Sequence, residues 1–206
     1  MGKRSEETRQ AILLAATKLF SKKGYEAVTM REIAKEAGCS HTTIYLYFKD
    51  KISLLQQLSM PSLQHLYQQL KEISSDESTA SAEKLKAMSR QYLSFCLENQ
   101  NMYSVFINAR SGRVDEENPS LEVNQIRNMI FKELINAVSE CLEIKDSETA
   151  LAYTRIYYYS LNGILTTYAY MHESVEELME RLTPTFDLMA ETFILGCIEK
   201  MKKGES

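Results

Sequence analysis

The sequence predicts an all-α protein of about nine or ten helices, with a short three-helix head followed by a longer helical body. Apolar residues recur with the 3.6-residue period of amphipathic helices along almost the whole chain. Only three prolines occur in 206 residues, and the alternating pattern of strands is missing. A hydrophobic content of 44% is sufficient for a substantial core.

The head is predicted from residues that begin and end helices. A first helix is expected from Glu6 to Lys23, with basic residues in its last turn. Thr29 and Glu32 have the spacing of a capping box and begin a second, short helix. Gly38 supplies a left-handed turn, after which a third helix is expected from Ser40 to Phe48. Helix, glycine turn and helix together predict a helix-turn-helix.

The body is predicted to consist of longer helices joined by polar loops. Pro61 should kink or restart the helix that begins at Ile52, because proline lacks an amide proton and clashes with the preceding turn. Thr183 should cap the last helix, with Pro184 at its first position and an end near Lys202. The other helices are expected at Ala80–Asn99, Asn101–Ala109, Ser120–Ile144, Ser147–His172 and Val175–Leu182, and loops at 74–79 and 111–119.

Charge divides the chain into two parts. Residues 1–51 contain 10 Lys and Arg against 6 Asp and Glu, a net +4, whereas the rest contains 14 against 22, a net −8. This predicts a polyanion-binding domain at 1–51 and a second domain at 52–206 that does not bind polyanions. We find neither a secretion signal nor an apolar stretch of membrane-spanning length, so we expect a cytoplasmic protein without a membrane partner.

The sequence offers little for catalysis or metal binding. It lacks a C-x-x-C pair, paired E-x-x-H motifs, a G-x-S-x-G motif and a P-loop. The cysteines and histidines are scattered, at Cys39, Cys96, Cys141, Cys197, His41, His65 and His172. We therefore expect no enzyme, no cofactor and no metal, although a metal site assembled across helices and an enzyme built on a helical bundle stay open as alternatives.

The third predicted helix carries the candidate nucleic-acid surface. Ile44 and Phe48 lie four residues apart and face the head core, which leaves hydroxyl, phenol and imidazole groups facing outward. Such donors suit contacts with phosphates and base edges. The outward candidates are His41, Thr42, Thr43, Tyr45, Leu46 and Tyr47, with Lys49 and Lys51 near the flanking DNA backbone. The alternative is that these are ordinary capping and surface residues of a helical bundle.

A longer pattern spans this region and resembles the signature of TetR-family transcriptional regulators. It reads Thr29-x-x-x-Ile33-Ala34-x-x-Ala37-Gly38-x-Ser40-x-x-Thr43-Ile44-Tyr45-x-Tyr47-Phe48-x-x-Lys51-x-x-Leu54, preceded by Gly24-Tyr25. The pattern is specific but covers only the first quarter of the chain. The remainder resembles the family in length, helicity and two long helices near the C-terminus.

The resemblance implies roles for individual residues. Base edges would be touched by Arg31, His41, Thr42 and Leu46, and phosphates by Thr29, Ser40, Thr43, Tyr45, Tyr47 and Lys51. The chain departs from the family pattern at Thr42, where glycine is commonest, and at Tyr47, where histidine is commonest. Because of these departures, the DNA sequence that this chain recognises cannot be inferred from that of a relative.

A head of this size reads only a few base pairs, so a homodimer on a palindromic double-stranded site is expected. The resemblance assigns dimerisation to the last two long helices. Their apolar stripes contain Leu161, Ile164, Tyr168, Leu182, Phe186, Met189 and Phe193 as candidates. Periodicity alone leaves open which part of each stripe is intramolecular core.

The resemblance also implies a small-molecule pocket in the body, whose occupation would act on the head through the segment from Ile52 to Ile73. Candidate lining residues are Tyr92, Phe95, Cys96, Met102, Tyr103, Phe106, Tyr153, Tyr157 and Tyr158. This set is aromatic and has no concentrated positive charge, which favours a neutral or cationic aromatic effector. We expect a repressor released by its effector; an activator, a regulator controlled by a protein partner, and an adaptor without DNA binding are the alternatives.

Overall fold

A computed structural model of the chain describes residues 3–99, 114–116, 118–119, 121–168 and 173–204. The regular elements of these residues are eight α-helices, which confirms the predicted class. They are α1 (Lys3–Lys23), α2 (Met30–Glu36), α3 (His41–Tyr47), α4 (Lys51–Ser75), α5 (Ser81–Glu98), α6 (Glu122–Leu142), α7 (Ser147–Tyr168) and α8 (Val175–Lys202). The predicted helix at Asn101–Ala109 lies outside the described residues.

The described residues form two compact units. The first contains residues 3–63, and the second contains 64–99 together with the described residues from 114 to 204. Helix α4 therefore contributes to both, since its residues up to Leu63 belong to the first unit. The domain boundary predicted from the sequence lies at 51/52, whereas Leu54 and Leu55 belong to the hydrophobic core of the first unit.

The core of the first unit joins α1, α2, α3 and the start of α4. Ile12 of α1, Ile33 of α2 and Ile44 of α3 are completely buried in it. The two turns between these helices contain Gly24 and Gly38, both with a positive φ that a side chain would strain. Short helices such as α2 and α3 gain most of their stability from this packing rather than from their own sequence.

The helix starts in the head agree with the sequence signals. The Thr29 hydroxyl accepts from the amide of Glu32, and the Glu32 carboxylate accepts from the amide of Thr29, which completes the predicted capping box. The Ser40 hydroxyl accepts from the amide of Thr43 at 3.0 Å and caps α3. These two caps fix where α2 and α3 begin.

The second unit packs α5 against α6, α7 and α8. Met88 and Leu93 of α5, Tyr157 of α7 and Phe186 of α8 are among its buried side chains. Ion pairs reinforce the contacts of α5: Lys84 with Glu140 at 3.0 Å, Lys86 with Glu191 at 2.7 Å, and Arg90 with Asp187 at 2.5 Å.

The predicted helix start at Pro184 was wrong, and so was the alternative of a helix restart at Pro61. Pro61 lies inside the continuous helix α4. Pro184 lies inside α8, which begins nine residues earlier with its own capping box at Ser174 and Glu177. The hydroxyl of Thr183 donates to the carbonyl of Met179 at 2.5 Å, as in a helix interior, instead of capping a new helix.

Among the described residues, none of the helices combines the length and the hydropathy required to cross a membrane.

Candidate nucleic-acid interface and ligand cavity

Helix α3 presents one polar and aromatic face to solvent. Ile44 and Phe48 are buried in the head core and fix the rotation of the helix. Its exposed side chains are His41, Thr42, Tyr45 and Leu46. Leu46 is 80% exposed, the highest value among the large hydrophobic side chains that the structure describes. The rings of His41 and Tyr45 meet edge to face with centroids 5.1 Å apart, so these two aromatic groups stand together on the helix.

A groove of about 430 Å³ runs beside the start of α3 and brings Arg31 and His41 together. The same groove contains Lys35, which the sequence analysis did not select. Lys35 lies one turn after Arg31 on α2, and this i, i+4 spacing was the available signal. The complete lining consists of Thr29, Arg31, Glu32, Ala34, Lys35, Cys39 and His41.

Four of the candidate polar residues are engaged within the head. The hydroxyl of Thr29 donates to the carboxylate of Glu32 at 2.9 Å, and the hydroxyls of Ser40 and Thr43 share a hydrogen bond of 2.7 Å. Tyr47 is half-buried and packs against the head core. These side chains hold α2 and α3 in place, and a hydroxyl oxygen retains capacity for a second hydrogen bond.

Lys51 makes contacts that the sequence analysis did not foresee. Its ammonium donates to the carbonyls of Tyr25 at 2.8 Å and Val28 at 2.9 Å, and lies 3.4 Å from that of Glu26. It also lies 4.1 Å from the centroid of the Tyr25 ring, a cation–π contact. Lys51 therefore ties the start of α4 to the loop between α1 and α2.

Some cations of the head are paired with carboxylates, and others are not. Two exposed lysines of α1 pair with carboxylates of α2, Lys18 with Glu36 at 2.5 Å and Lys23 with Glu32 at 2.8 Å. The pairing with Lys23, followed by hydrogen bonds from Thr29, lowers the pKa of Glu32 to about 2. Arg31, Lys35 and Lys49 have no carboxylate partner within the described residues, so their charge is available to an external anion.

The second unit contains a small apolar cavity of about 20 Å³, which is room for roughly one water molecule. Its walls come from α4, α5, α6 and α7. The lining residues are Leu70, Met88, Ser89, Tyr92, Ile130, Phe131, Leu134, Tyr158 and Leu161. The ring of Phe131 meets that of Tyr158 edge to face at 5.3 Å, and Tyr92 lies 6.1 Å from Tyr158.

The cavity contains two of the predicted lining residues, Tyr92 and Tyr158. Phe95, Cys96, Tyr153 and Tyr157 lie outside its lining, and Met102, Tyr103 and Phe106 lie outside the described residues. The predicted lining was chosen for its aromatic residues and so does not include the aliphatic wall. The helical spacing of Ile130, Phe131 and Leu134 on α6 was the signal that could have found it.

Tyr157 is a core residue and does not line the cavity. Its hydroxyl shares a hydrogen bond of 2.6 Å with Ser89, and its ring lies 4.9 Å from that of Phe193. Burial, opposed by the bond to Ser89, raises the pKa of Tyr157 to about 12. Cys96 is likewise buried, and burial raises the pKa of its thiol.

The apolar stripes of α7 and α8 divide into an inner and an outer face. Leu161 is 1% exposed, and Leu182 and Phe186 are also buried in the core of their own unit. The other candidates, Ile164, Tyr168, Met189 and Phe193, are half-buried. The outer face of α7 carries Ala152, Ile156, Tyr159, Gly163 and Thr166, and that of α8 carries Thr185, Leu188, Thr192, Leu195 and Gly196.

Both outer faces are small or apolar where a surface helix is normally charged. A Cβ built on Gly163 or Gly196 would meet no atom within 4 Å, so neither glycine is required by packing within the chain. Of the interface candidates predicted from sequence, Leu161, Leu182 and Phe186 lie in the core and not in these two rows.

Among the described residues, no group of three or more His, Cys, Asp and Glu side chains could hold a metal ion.

The geometry of the head defines a helix-turn-helix protein: two short capped helices, a glycine turn and an exposed second helix with cations beside it. Residues 12–58 match the family model described as bacterial regulatory proteins, tetR family. Over these residues the chain is similar to the N-terminal region of TetR-family regulatory proteins.

Sequence relatives match mainly over the head. The chain is 44% identical over 54 residues to the HTH-type transcriptional regulator AcrR of Shigella flexneri, which covers 26% of this chain and 25% of AcrR. It is 28% identical over 131 residues to the fatty acid metabolism regulator protein of Bacillus subtilis strain 168, covering 64% of each chain. The chain thus spans about a quarter of the first relative and less than two thirds of the second.

Solved structures match over most of the chain. The transcriptional regulator FadR from Bacillus subtilis, crystallised in complex with stearoyl-CoA, is similar with a TM-score of 0.59 and 19% identity. The match covers 92% of this chain and 97% of that chain. At this identity the likeness concerns the fold.

Proposed function

We propose that this chain is a sequence-specific DNA-binding transcriptional regulator, a homodimeric repressor that a small-molecule effector releases from a palindromic operator. The observation that carries the proposal is the exposed face of α3, anchored by Ile44 and Phe48 and flanked by cations that have no carboxylate partner among the described residues. As a regulator of transcription it would act in the cytoplasm, where bacterial DNA is found, and it would catalyse no reaction.

In this proposal α3 lies in the major groove. Arg31, His41, Thr42 and Leu46 are assigned to base edges, because the last three are exposed on α3 and Arg31 shares a groove with His41. Tyr45, Lys35 and Lys49 are assigned to phosphates. Thr29, Ser40, Thr43 and Tyr47 position the two helices and have spare hydrogen-bonding capacity for the DNA backbone.

We assign the dimer contact to the outer faces of α7 and α8, with a second copy of the same chain as the occupant. Exposed apolar groups on neighbouring helices of one unit suit the four-helix arrangement that a two-fold axis produces. Gly163 and Gly196 would allow helix backbones of the two copies to approach closely.

The effector is assigned to the cavity between α5, α6 and α7. Its present volume of about 20 Å³ is too small for a metabolite, so binding has to separate these helices. A ligand that binds only the separated arrangement shifts the protein toward it and changes DNA affinity by linkage. The FadR structure with stearoyl-CoA is a precedent for an effector in a protein of this fold. An activator, or a regulator controlled by a protein partner, would use the same head.

The test is selection of bound sequences from a random DNA duplex pool with the purified full-length chain. We expect a palindrome to be enriched, and we expect Arg31→Ala to lower affinity for it by about 10-fold or more with relaxed base preference. Lys22→Ala is the matched control, because Lys22 is an exposed cation of the head that lies outside the groove and has no ion-pair partner in the described residues.

A folded wild-type chain that enriches no sequence at low salt would refute the DNA-binding proposal. Equal losses in Arg31→Ala and Lys22→Ala would mean that Arg31 supplies only general charge. Reporter expression with and without the regulator then separates repression from activation.

A further inference from the structure

The row of α6 residues that lines the cavity of the second unit is preceded by a cation. On α6 the lining residues Ile130, Phe131 and Leu134 form a continuous row. The next position of that row, three and four residues earlier, is Arg127. The apolar wall of the cavity is therefore continued, one helical turn away, by a guanidinium group.

Arg127 differs from the other arginines that the structure describes in the second unit. Arg90 is paired with Asp187, Arg155 with Asp115, and Arg181 with Glu173, each through two of its nitrogens. Within the described residues no carboxylate lies at ion-pair distance from Arg127. Its only hydrogen bond there is from Nη1 to Oδ1 of Asn124, at 3.1 Å.

The surroundings of this guanidinium are partly shielded from solvent. Arg127 is half-buried, and its partner Asn124 is 5% exposed. Its charge also acts on Cys96 of α5: burial raises the pKa of that thiol, while a hydrogen bond from Tyr92 and the charge of Arg127 act against the increase. Tyr92 also lines the cavity, so the charge of Arg127 acts on the part of α5 that forms one cavity wall.

Among the described residues, a neutral amide satisfies one of the five donors of this guanidinium, and no carboxylate compensates its charge. A half-buried cation without a counter-ion is unfavourable, and an anion placed there gains a charge-assisted, often bidentate, hydrogen bond. The position of that anion is defined by its distance of one helical turn from the apolar cavity.

We propose that the cavity binds a small molecule with an apolar body and an acidic group, the body between α5, α6 and α7 and the acidic group on Arg127. This rests on the proposed effector function and names its ligand class. It replaces the neutral or cationic aromatic effector expected from the sequence, which followed from a set of candidate lining residues that did not include Arg127.

The experiment compares dodecyl compounds that differ only in the head group, using calorimetric titration of the full-length chain. The probes are dodecanoate, dodecanol, dodecylammonium and dodecanoyl-CoA. We expect dodecanoate to bind about 10-fold or more tightly than dodecanol, because a hydrogen bond to a charged group contributes that much. Dodecylammonium should bind most weakly, since Arg127 repels it.

Substitutions test whether the preference for an acidic head group depends on Arg127. Arg127→Gln should weaken dodecanoate binding by about 10-fold or more and leave dodecanol binding unchanged, which also shows that the cavity is intact. Arg127→Lys should restore part of the affinity for dodecanoate because it restores the charge without the planar fork. Lys132→Gln is the control, since Lys132 is an exposed cation on the same helix.

Equal binding of the acid, alcohol and amine overturns the proposal, as does an Arg127→Gln variant that binds dodecanoate normally or a wild-type chain that binds no probe. If dodecanoyl-CoA binds more tightly than dodecanoate and the preference is lost in Arg127→Gln, the anion on Arg127 is a phosphate of the coenzyme A group. If dodecanoate binds more tightly, the anion is a free carboxylate. If dodecanoate binds through Arg127 without changing DNA affinity, the ligand site stands and its role as an effector site fails. If the head-group preference is absent but the operator is still bound, only the ligand assignment fails.

Discussion

Lys51 illustrates how one side chain can be assigned two different roles. By family resemblance it is a phosphate contact, yet its ammonium is engaged with two backbone carbonyls and the ring of Tyr25. All three donors of an ammonium can be used in this way, which leaves little for a phosphate. The contacts with the loop between α1 and α2 are therefore sufficient to explain a lysine at this position.

We predict that Lys51→Gln lowers the free energy of unfolding by about 1–2 kcal/mol, because partly buried carbonyls lose a charged donor. Chemical denaturation followed by circular dichroism measures this. Lys49→Gln is the matched control: Lys49 is exposed, and its loss should leave stability unchanged.

For DNA binding we expect the opposite pattern, in which the substitution of Lys49 has an effect and that of Lys51 does not. Lys49→Gln should reduce the dependence of affinity on salt, since each phosphate contact contributes about −0.9 to the slope of log K against log salt. A Lys51→Gln variant with normal stability and a reduced salt slope would show that Lys51 binds phosphate after all.

At the scale of the helix, α2 depends on the carboxylate of Glu32. It accepts from the amide and hydroxyl of Thr29 and from Lys23, and these contacts lower the pKa of Glu32 from 4.5 to about 2. A group with a depressed folded-state pKa contributes stability above its unfolded pKa, and the contribution disappears as the pH falls through the folded value.

We therefore predict that Glu32→Gln lowers the melting temperature of the protein at pH 7, and that the difference from wild type shrinks as the pH falls from 4.5 toward 2. Thermal melts across this range measure it. Glu7→Gln, an exposed glutamate of α1, should behave like wild type throughout. A Glu32→Gln deficit that stays constant with pH would mean that the carboxylate charge is unimportant for the cap.

The prolines show why the continuity of a helix was harder to predict than its start. A capping box is a local interaction within four residues, so Thr29 and Ser174 mark helix starts from sequence alone. Whether Pro184 begins a helix or lies inside one depends on whether the rest of the helix is held by packing. Leu182, Phe186 and Ala190 are buried on both sides of it, and this offsets the roughly 3 kcal/mol that an interior proline costs.

At the scale of the whole molecule, assembly depends on residues that the core of one chain leaves exposed. Leu195 of α8 is 67% exposed and lies beside Gly196 on the outer face. We predict that Leu195→Arg weakens dimerisation by about 100-fold or more, because two unpaired charges would be buried across the two-fold axis. Analytical ultracentrifugation measures the change, and the circular dichroism spectrum should stay helical.

Leu14→Arg is the matched control, since Leu14 of α1 is 71% exposed and lies outside the proposed interface. Loss of dimerisation in both variants would indicate a general effect of the added charge. A Leu195→Arg variant that remains fully dimeric, or a wild-type chain that is monomeric, would contradict the assignment of the outer faces.

The sequence by itself determined the all-helical class, the three helices of the head, the glycine turns and the outward face of α3. These features depend on neighbours within one or two turns, which periodicity and capping residues report directly. Only the tertiary structure decided that Lys51 is tied to the loop between α1 and α2, that Leu161 and Phe186 are core residues, and that Ile130, Phe131 and Leu134 line a cavity. Each of these depends on which helix lies opposite, and in a bundle of amphipathic helices several pairings satisfy the same sequence pattern.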